Sequence, residues 1–215
     1  KTPDMADGAL FDFGYGLTYG SPRGEWAELP LASTDAAGDA RTWFSAGNPA
    51  ASWSLHVTDP STPASQTRIT TVPAEAFGGR MQITAENYLV QEGARRFRVS
   101  GGESAVSLST FNPVDISRET NGDVLLLVTI RMDQAPEWAG IAMGGAGGPQ
   151  AVSTVQIPEG TGFVRYGLSL KCLRDKGVDV SSVSAPFIFA TEGPADFSIG
   201  EVRLGTDAEV MLPCT

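Results

Sequence analysis

Few residue types in this chain can do chemistry, and their spacing narrows the choice further. His56 is the single histidine, so a multi-histidine zinc site cannot be built and any Ser–His–acid triad would have to run through it. Ser54 and Thr58 flank it at period two, which expects His56 on a polar surface face. Cys172 and Cys214 are the two cysteines, too far apart in sequence for a metal or redox motif. They are either inert thiols or a disulfide that pins the chain end to a strand in an oxidising compartment, worth roughly 3–4 kcal/mol in the chain-entropy picture. The 25 acidic residues provide many carboxylates, but no motif selects the closely spaced pair that acid–base catalysis needs. They read as solvated surface acids.

The charge balance excludes further classes. A formal net charge of −10 argues against nucleic acid and anionic membrane as partners, because phosphate contacts need clustered Lys and Arg. The nearest cluster is Arg95, Arg96 and Arg98, in a stretch from Glu92 to Arg98 that is expected to form a strand-edge ion-pair network. No apolar run approaches the roughly 18 residues of a membrane span. With 41% hydrophobic and 19% charged residues, the chain is expected to be soluble and folded. It begins Lys1-Thr2-Pro3, without Met or an apolar stretch, and is expected to be a processed chain or an excised piece.

The elements that must position these residues are strands. Gly 25 and Pro 14 favour turns over long helices, and period-two segments dominate beyond residue 40. Trp53, Leu55 and Val57 alternate with Ser54, His56 and Thr58; Phe97 and Val99 alternate with arginines. Val164 to Cys172 alternates throughout. Val124 to Met132 is a continuous apolar run, expected as a fully buried strand. The phase slips at Gly200-Glu201, which predicts a β-bulge. Helices are expected only at Asn112 to Glu119 and Asp175 to Val183. Strands without crossover helices between them imply antiparallel pairing, and two packed sheets are the expected solution. The fold class is therefore all-β, an antiparallel β-sandwich of jelly-roll type with an extended N-terminal tail.

The tail carries a recognisable signature. Leu10-Phe11-Asp12-Phe13-Gly14-Tyr15-Gly16-Leu17-Thr18-Tyr19 resembles the Phe-Pro-Phe-Gly-Tyr-Gly-Leu-Ser-Tyr stretch near the end of the catalytic region of family-three glycoside hydrolases, with Asp12 and Thr18 as the departures. Residues 40 to 213 resemble the galactose-binding-like domain that follows this tail in some bacterial exo-1,3/1,4-β-glucanases. The stretches Gln91 to Arg96, Leu168 to Cys172 and Phe197 to Leu204 carry that likeness. The resemblance implies a tail of the catalytic region over 1–20, a linker over 21–40 and a galactose-binding-like β-sandwich over 41–215. The family's Ser-Asp-Trp-like nucleophile motif and its Lys-His-Phe-like motif do not occur here, so no catalytic residue is carried over.

The resemblance further implies a non-catalytic accessory domain of a periplasmic or secreted β-glucosidase or exo-β-glucanase. Its partners would be a β-glucan or gluco-oligosaccharide and the catalytic domain of the same polypeptide. Sugars stack on exposed aromatic faces, which singles out Trp138, after the loop-like Gln134 to Glu137, and Trp43, where either Trp43 or its neighbour Phe44 should point inward. Trp53 is expected in the core, and Trp26 against a neighbouring domain. No cofactor is expected apart from a structural calcium, which such folds often hold; Glu86 and Asp207, the latter with Glu209, are its candidate ligands. Two rivals remain: a purely structural domain packed on the catalytic core, and a self-contained enzyme.

Overall fold

The structure is a computed structural model that describes residues 41–62, 66–145, 151–160 and 162–214. The aromatic-glycine segment at 10–19 and Trp26 lie outside the described residues. The chain divides into two units, Lys1–Arg41 and Thr42–Thr215, and the strands of the described residues belong to the second.

Period-two patterning yields two sheets. The first runs in the order β15 (Val210–Met211), β12 (Val164–Ser169), β9 (Leu125–Gln134), β14 (Ala195–Gly205), β7 (Val90–Val99), β6 (Met81–Tyr88) and β5 (Ala74–Ala76). Off this path, β1 (Thr42–Ser45) pairs with β14, and β2 (Asn48–Pro49) pairs with β1. The second sheet runs β11 (Ala151–Thr154), β10 (Trp138–Gly145), β13 (Val183–Glu192), β8 (Glu103–Ser109), β3 (Ser54–Thr58) and β4 (Thr67–Ile69). Pairing is antiparallel except between β12 and β15, which run parallel. This two-sheet sandwich is the expected all-β architecture.

The inner faces meet in one aromatic-rich core. Phe97 of β7 stacks on Phe197 of β14 with centroids 5.3 Å apart, and Phe189 of β13 meets Phe197 edge-on at 4.9 Å. That triad ties the two sheets together, each fully buried ring contributing about 1.5–3 kcal/mol of hydrophobic stabilisation. The apolar run becomes the central strand β9, whose Leu126 to Ile130 are all buried.

The bulge falls where the phase slips. Between Ile199 and Glu201 the register of β14 against β9 shifts. Before the bulge β14 pairs with β7, from Ala195↔Val99 to Ile199↔Arg95; after it, β14 takes β1 as neighbour, with Phe44↔Val202. The phase slip thus marks where one strand changes partner.

Several expectations are corrected. The alternation from Val164 does not run as a strand to Cys172. It stops at Ser169, whose hydroxyl accepts a hydrogen bond from the Cys172 amide (3.4 Å) and so starts α2 (Leu170–Asp175). The helix expected from Asp175 thus ends there instead. α1 (Ser117–Asn121) begins later than expected, because the Asp115 carboxylate accepts from the Ser117 amide (2.8 Å) and holds the preceding segment in a turn. The arginine-bearing strand β7 is no edge; it lies between β14 and β6.

Candidate functional site

Trp138 opens β10 on the face of the six-stranded sheet that points away from the core. Glycine sits two residues on, and in a strand that places both on one face. A Cβ at Gly140 would lie 2.6 Å from the indole Cη2 and 2.7 Å from Val152 Cγ1. The six-membered part of the indole therefore lies over the bare backbone of Gly140, braced against Val152. Trp138 keeps 36% of its surface exposed. Its cross-strand partner is Glu192, which in turn pairs with Glu103, so exposed carboxylates flank the ring.

From that ring a smooth track crosses the sheet. Val152, Ala142, Ile188, Ser107, His56 and Arg68 stand in register on the six successive strands. Beside them Gly140, Ala190 and Ala105 form a second row. The side chains are small in the middle and polar towards β3 and β4. Five strand spacings of about 4.8 Å give roughly 24 Å, the reach of an extended oligomer. His56 is half-buried in this row rather than surface-exposed, and its Nδ1 has no partner. Burial, assisted by the charge of Arg68, holds its pKa below the usual histidine value.

A separate cleft of about 290 Å³ lies beside the β1–β2 turn and the β3–β4 edge. Trp53, Asn48, Arg68, Thr70, Thr71 and Arg95 are among its walls. Extending the Leu55 and Val57 alternation backwards places Trp53 in the core, and the structure corrects this. Trp53 lies one residue before β3, where its amide closes a turn onto the Ala50 carbonyl (2.9 Å), and the ring is half-buried against Trp43 with centroids 5.8 Å apart.

Trp43 itself is corrected. It is 1% exposed, and Phe44 beside it is 2% exposed, so both neighbours are buried and Trp43 offers no face to a sugar. Strand β1 leaves the plane of simple alternation because its register against β14 shifts between Thr42 and Phe44.

The calcium candidates Glu86, Asp207 and Glu209 each face arginines. Glu86 Oε2 accepts from Arg131 Nη2 at 2.9 Å and lies 3.5 Å from Arg96. Burial would raise its pKa, but the bonds from Arg131 and the Asn87 amide, with the charges of Arg131 and Arg96, outweigh it and hold the carboxyl below its ordinary value. Asp207 accepts from Arg203 Nη2 at 2.7 Å and lies 3.3 Å from Arg165; Glu209 also faces Arg165, at 3.9 Å. Among the described residues no group of three or more His, Cys, Asp and Glu is placed to hold a metal.

Arg96 and Arg98 of β7, with Arg131 of β9, build the expected ion-pair network. Arg96 grips Asp196 with two bonds of 2.8 and 2.9 Å, reaches Asp133 at 3.1 Å, and shares Glu86 with Arg131. Arg131 also lies 5.3 Å over the Phe163 ring. With Arg98, 3.1 Å from Asp196, three arginines meet three carboxylates, and the group braces the outer face of the first sheet. Cys172 and Cys214 form a disulfide with Cα atoms 5.8 Å apart, which ties the segment after β15 to α2.

The sheet face and the cleft belong to a fold with known relatives. A family model described as galactose-binding domain-like matches residues 51–204. The backbone is similar to the crystal structure of the extra C-terminal domain of an exo-1,3/1,4-beta-glucanase from a Pseudoalteromonas species. The TM-score is 0.65 at 18% identity, over 81% of this chain and 99% of that one. Against the exo-1,3/1,4-beta-glucanase structure from the same organism the TM-score is 0.59 at 16% identity, over 80% of this chain and 22% of that one. No curated protein sequence matches the chain.

Proposed function

The chain belongs to the galactose-binding domain-like family, and on that premise we propose that it is a non-catalytic accessory domain of a β-glucan-degrading glycoside hydrolase that holds neutral glucan on the outer face of its six-stranded sheet. The observation that carries this reading is the Trp138 indole over Gly140, an aromatic plate on which a pyranose ring stacks. Glu103 and Glu192 beside it are acceptors for sugar hydroxyls, and an acid-flanked plate suits a neutral polymer better than an anionic one. The signature at 10–19, and the fold shared with the extra domain of a glucanase, support a family-three parent. The disulfide supports a periplasmic or secreted location.

A second contact, with the catalytic domain of the same polypeptide, is favoured by the tip between β6 and β7, where Leu89 and Val90 are 86% and 58% exposed. Isothermal titration with short β-1,3- and β-1,4-glucans tests the sugar-binding reading. Binding that Trp138→Ala weakens at least tenfold supports it. An affinity indifferent to that substitution removes Trp138 from the site, and the absence of any binding leaves the domain a purely structural one.

A further inference from the structure

The cleft beside Trp53 has an electrostatic character unlike the rest of the molecule. In a chain with a formal charge of −10, carboxylates outnumber cations, and seven of the described arginines find one. Arg80, Arg96, Arg98, Arg131, Arg165, Arg174 and Arg203 each lie within ion-pair distance of an Asp or Glu. Arg68 and Arg95 both line the cleft, and among the described residues neither makes a salt bridge. Arg95 is half-buried, and its guanidinium is held by neutral oxygens only: the Glu92 carbonyl at 3.4 Å, the Ala94 carbonyl at 3.2 Å and Asn48 Oδ1 at 3.2 Å. The Glu92 carboxylate acts on it only at longer range, and burial lowers its pKa. A part-buried cation whose only counter-charge acts at longer range is poorly compensated, and an anion from outside would complete the arrangement.

The remaining walls say what kind of anion. Trp53 presents part of an indole that buried Trp43 holds in place, and Thr70 and Thr71 bring hydroxyls. A volume of about 290 Å³ is at the small end of ligand clefts and fits one sugar ring rather than a polymer. We propose that this cleft binds a single anionic sugar residue, its ring against Trp53 and its carboxylate or sulfate ester between Arg68 and Arg95. Guanidiniums suit both groups because their planar forks pair with two oxygens at once. The cleft meets the far end of the Trp138 track at Arg68, but the proposal does not rest on sugar binding at Trp138.

Titrating the whole chain with glucuronate, glucose 6-sulfate, glucose and sodium sulfate tests it. Glucuronate or glucose 6-sulfate should bind at least tenfold more tightly than glucose, and the stronger of the two identifies the anion. Raising the salt should weaken that binding. Arg68→Gln, at an exposed position that tolerates the change, and Arg95→Gln, checked for an unshifted melting temperature, should each cost tenfold or more, while Trp138→Ala leaves the affinity unchanged. Equal affinity for glucose and glucuronate would overturn the proposal. So would sulfate alone binding as tightly as the charged sugars, since the ring would then contribute nothing.

Discussion

The indole of Trp138 covers the backbone of Gly140 so closely that a methyl group there would sit 2.6 Å from its ring. Glycine at 140 is thus what lets the ring rest on the sheet. Gly140→Ala is expected to push the ring off without unfolding the strand, since the atoms in the way belong to side chains, the indole of Trp138 and Val152 Cγ1 on the edge strand β11, and not to backbone. The affinity for short β-glucans should fall at least tenfold, as with Trp138→Ala, while the melting temperature stays near that of the parent. Calorimetric titration alongside a thermal melt checks both halves.

The Cys172–Cys214 bond closes a separation of 42 residues and secures the segment after β15, a strand of two exposed residues, together with buried Leu212 and the bond from the Ser153 hydroxyl to the Pro213 carbonyl (2.9 Å). Replacing both cysteines by serine should lower the unfolding free energy by roughly 3–4 kcal/mol in the chain-entropy picture. It should also make the chain beyond Val210 sensitive to limited proteolysis before the sandwich itself. Equal denaturation midpoints with and without reductant would show that the bond adds nothing.

Much of the scaffold was legible because its signals are local. Alternation at 97–99 and 164–169, the apolar run of β9 and the phase slip at Gly200 are each properties of a few neighbouring residues, and each became the strand or bulge expected. Trp138 was legible for the same reason, as a large ring at a strand start. Trp43 was not. Alternation demanded that Trp43 or Phe44 face outward, but β1 enters the sheet at a register shift against β14 and both are buried. The cleft was illegible for a different reason. Asn48, Trp53, Arg68 and Arg95 are brought together by the β1–β2 turn and the edge of the other sheet, a juxtaposition that spacing along the chain does not encode. Ser169 misled through chemistry rather than distance. Its cap to the Cys172 amide outweighed an alternation that would have continued the strand.

Gly200 lies at the bulge, and a Cβ there would meet the Tyr88 ring at 2.6 Å. Tyr88 is itself wedged against Phe163, with centroids 4.5 Å apart, so it has little room to retreat. Gly200→Ala should therefore destabilise the domain by about 1–3 kcal/mol, the usual cost of overpacking. Adding Tyr88→Ala should recover part of that loss, giving a non-additive double-mutant cycle. Strictly additive free energies would show that the two positions do not touch in solution.

Acid should weaken the first sheet, and the arginine network says why. Burial would raise the Asp196 pKa, but the bonds and charges of Arg96 and Arg98 outweigh it and hold the carboxyl below its ordinary value; Glu86 is held down in the same direction. Unfolded, these groups titrate near 3.9 and 4.3. Above about pH 5 both states are ionised, and the network's contribution is fully present. As the pH falls through about 4 the unfolded chain takes up protons that the native state refuses, so stability declines until the lowered native values are passed. Asp196→Asn removes one such group while leaving Arg96 its contacts with Asp133 and Glu86. Its stability deficit, measured by urea unfolding followed through tryptophan fluorescence, should therefore be largest near neutrality and shrink towards about pH 3. A deficit that stays constant across that range would mean that the Asp196 carboxylate contributes shape and not charge.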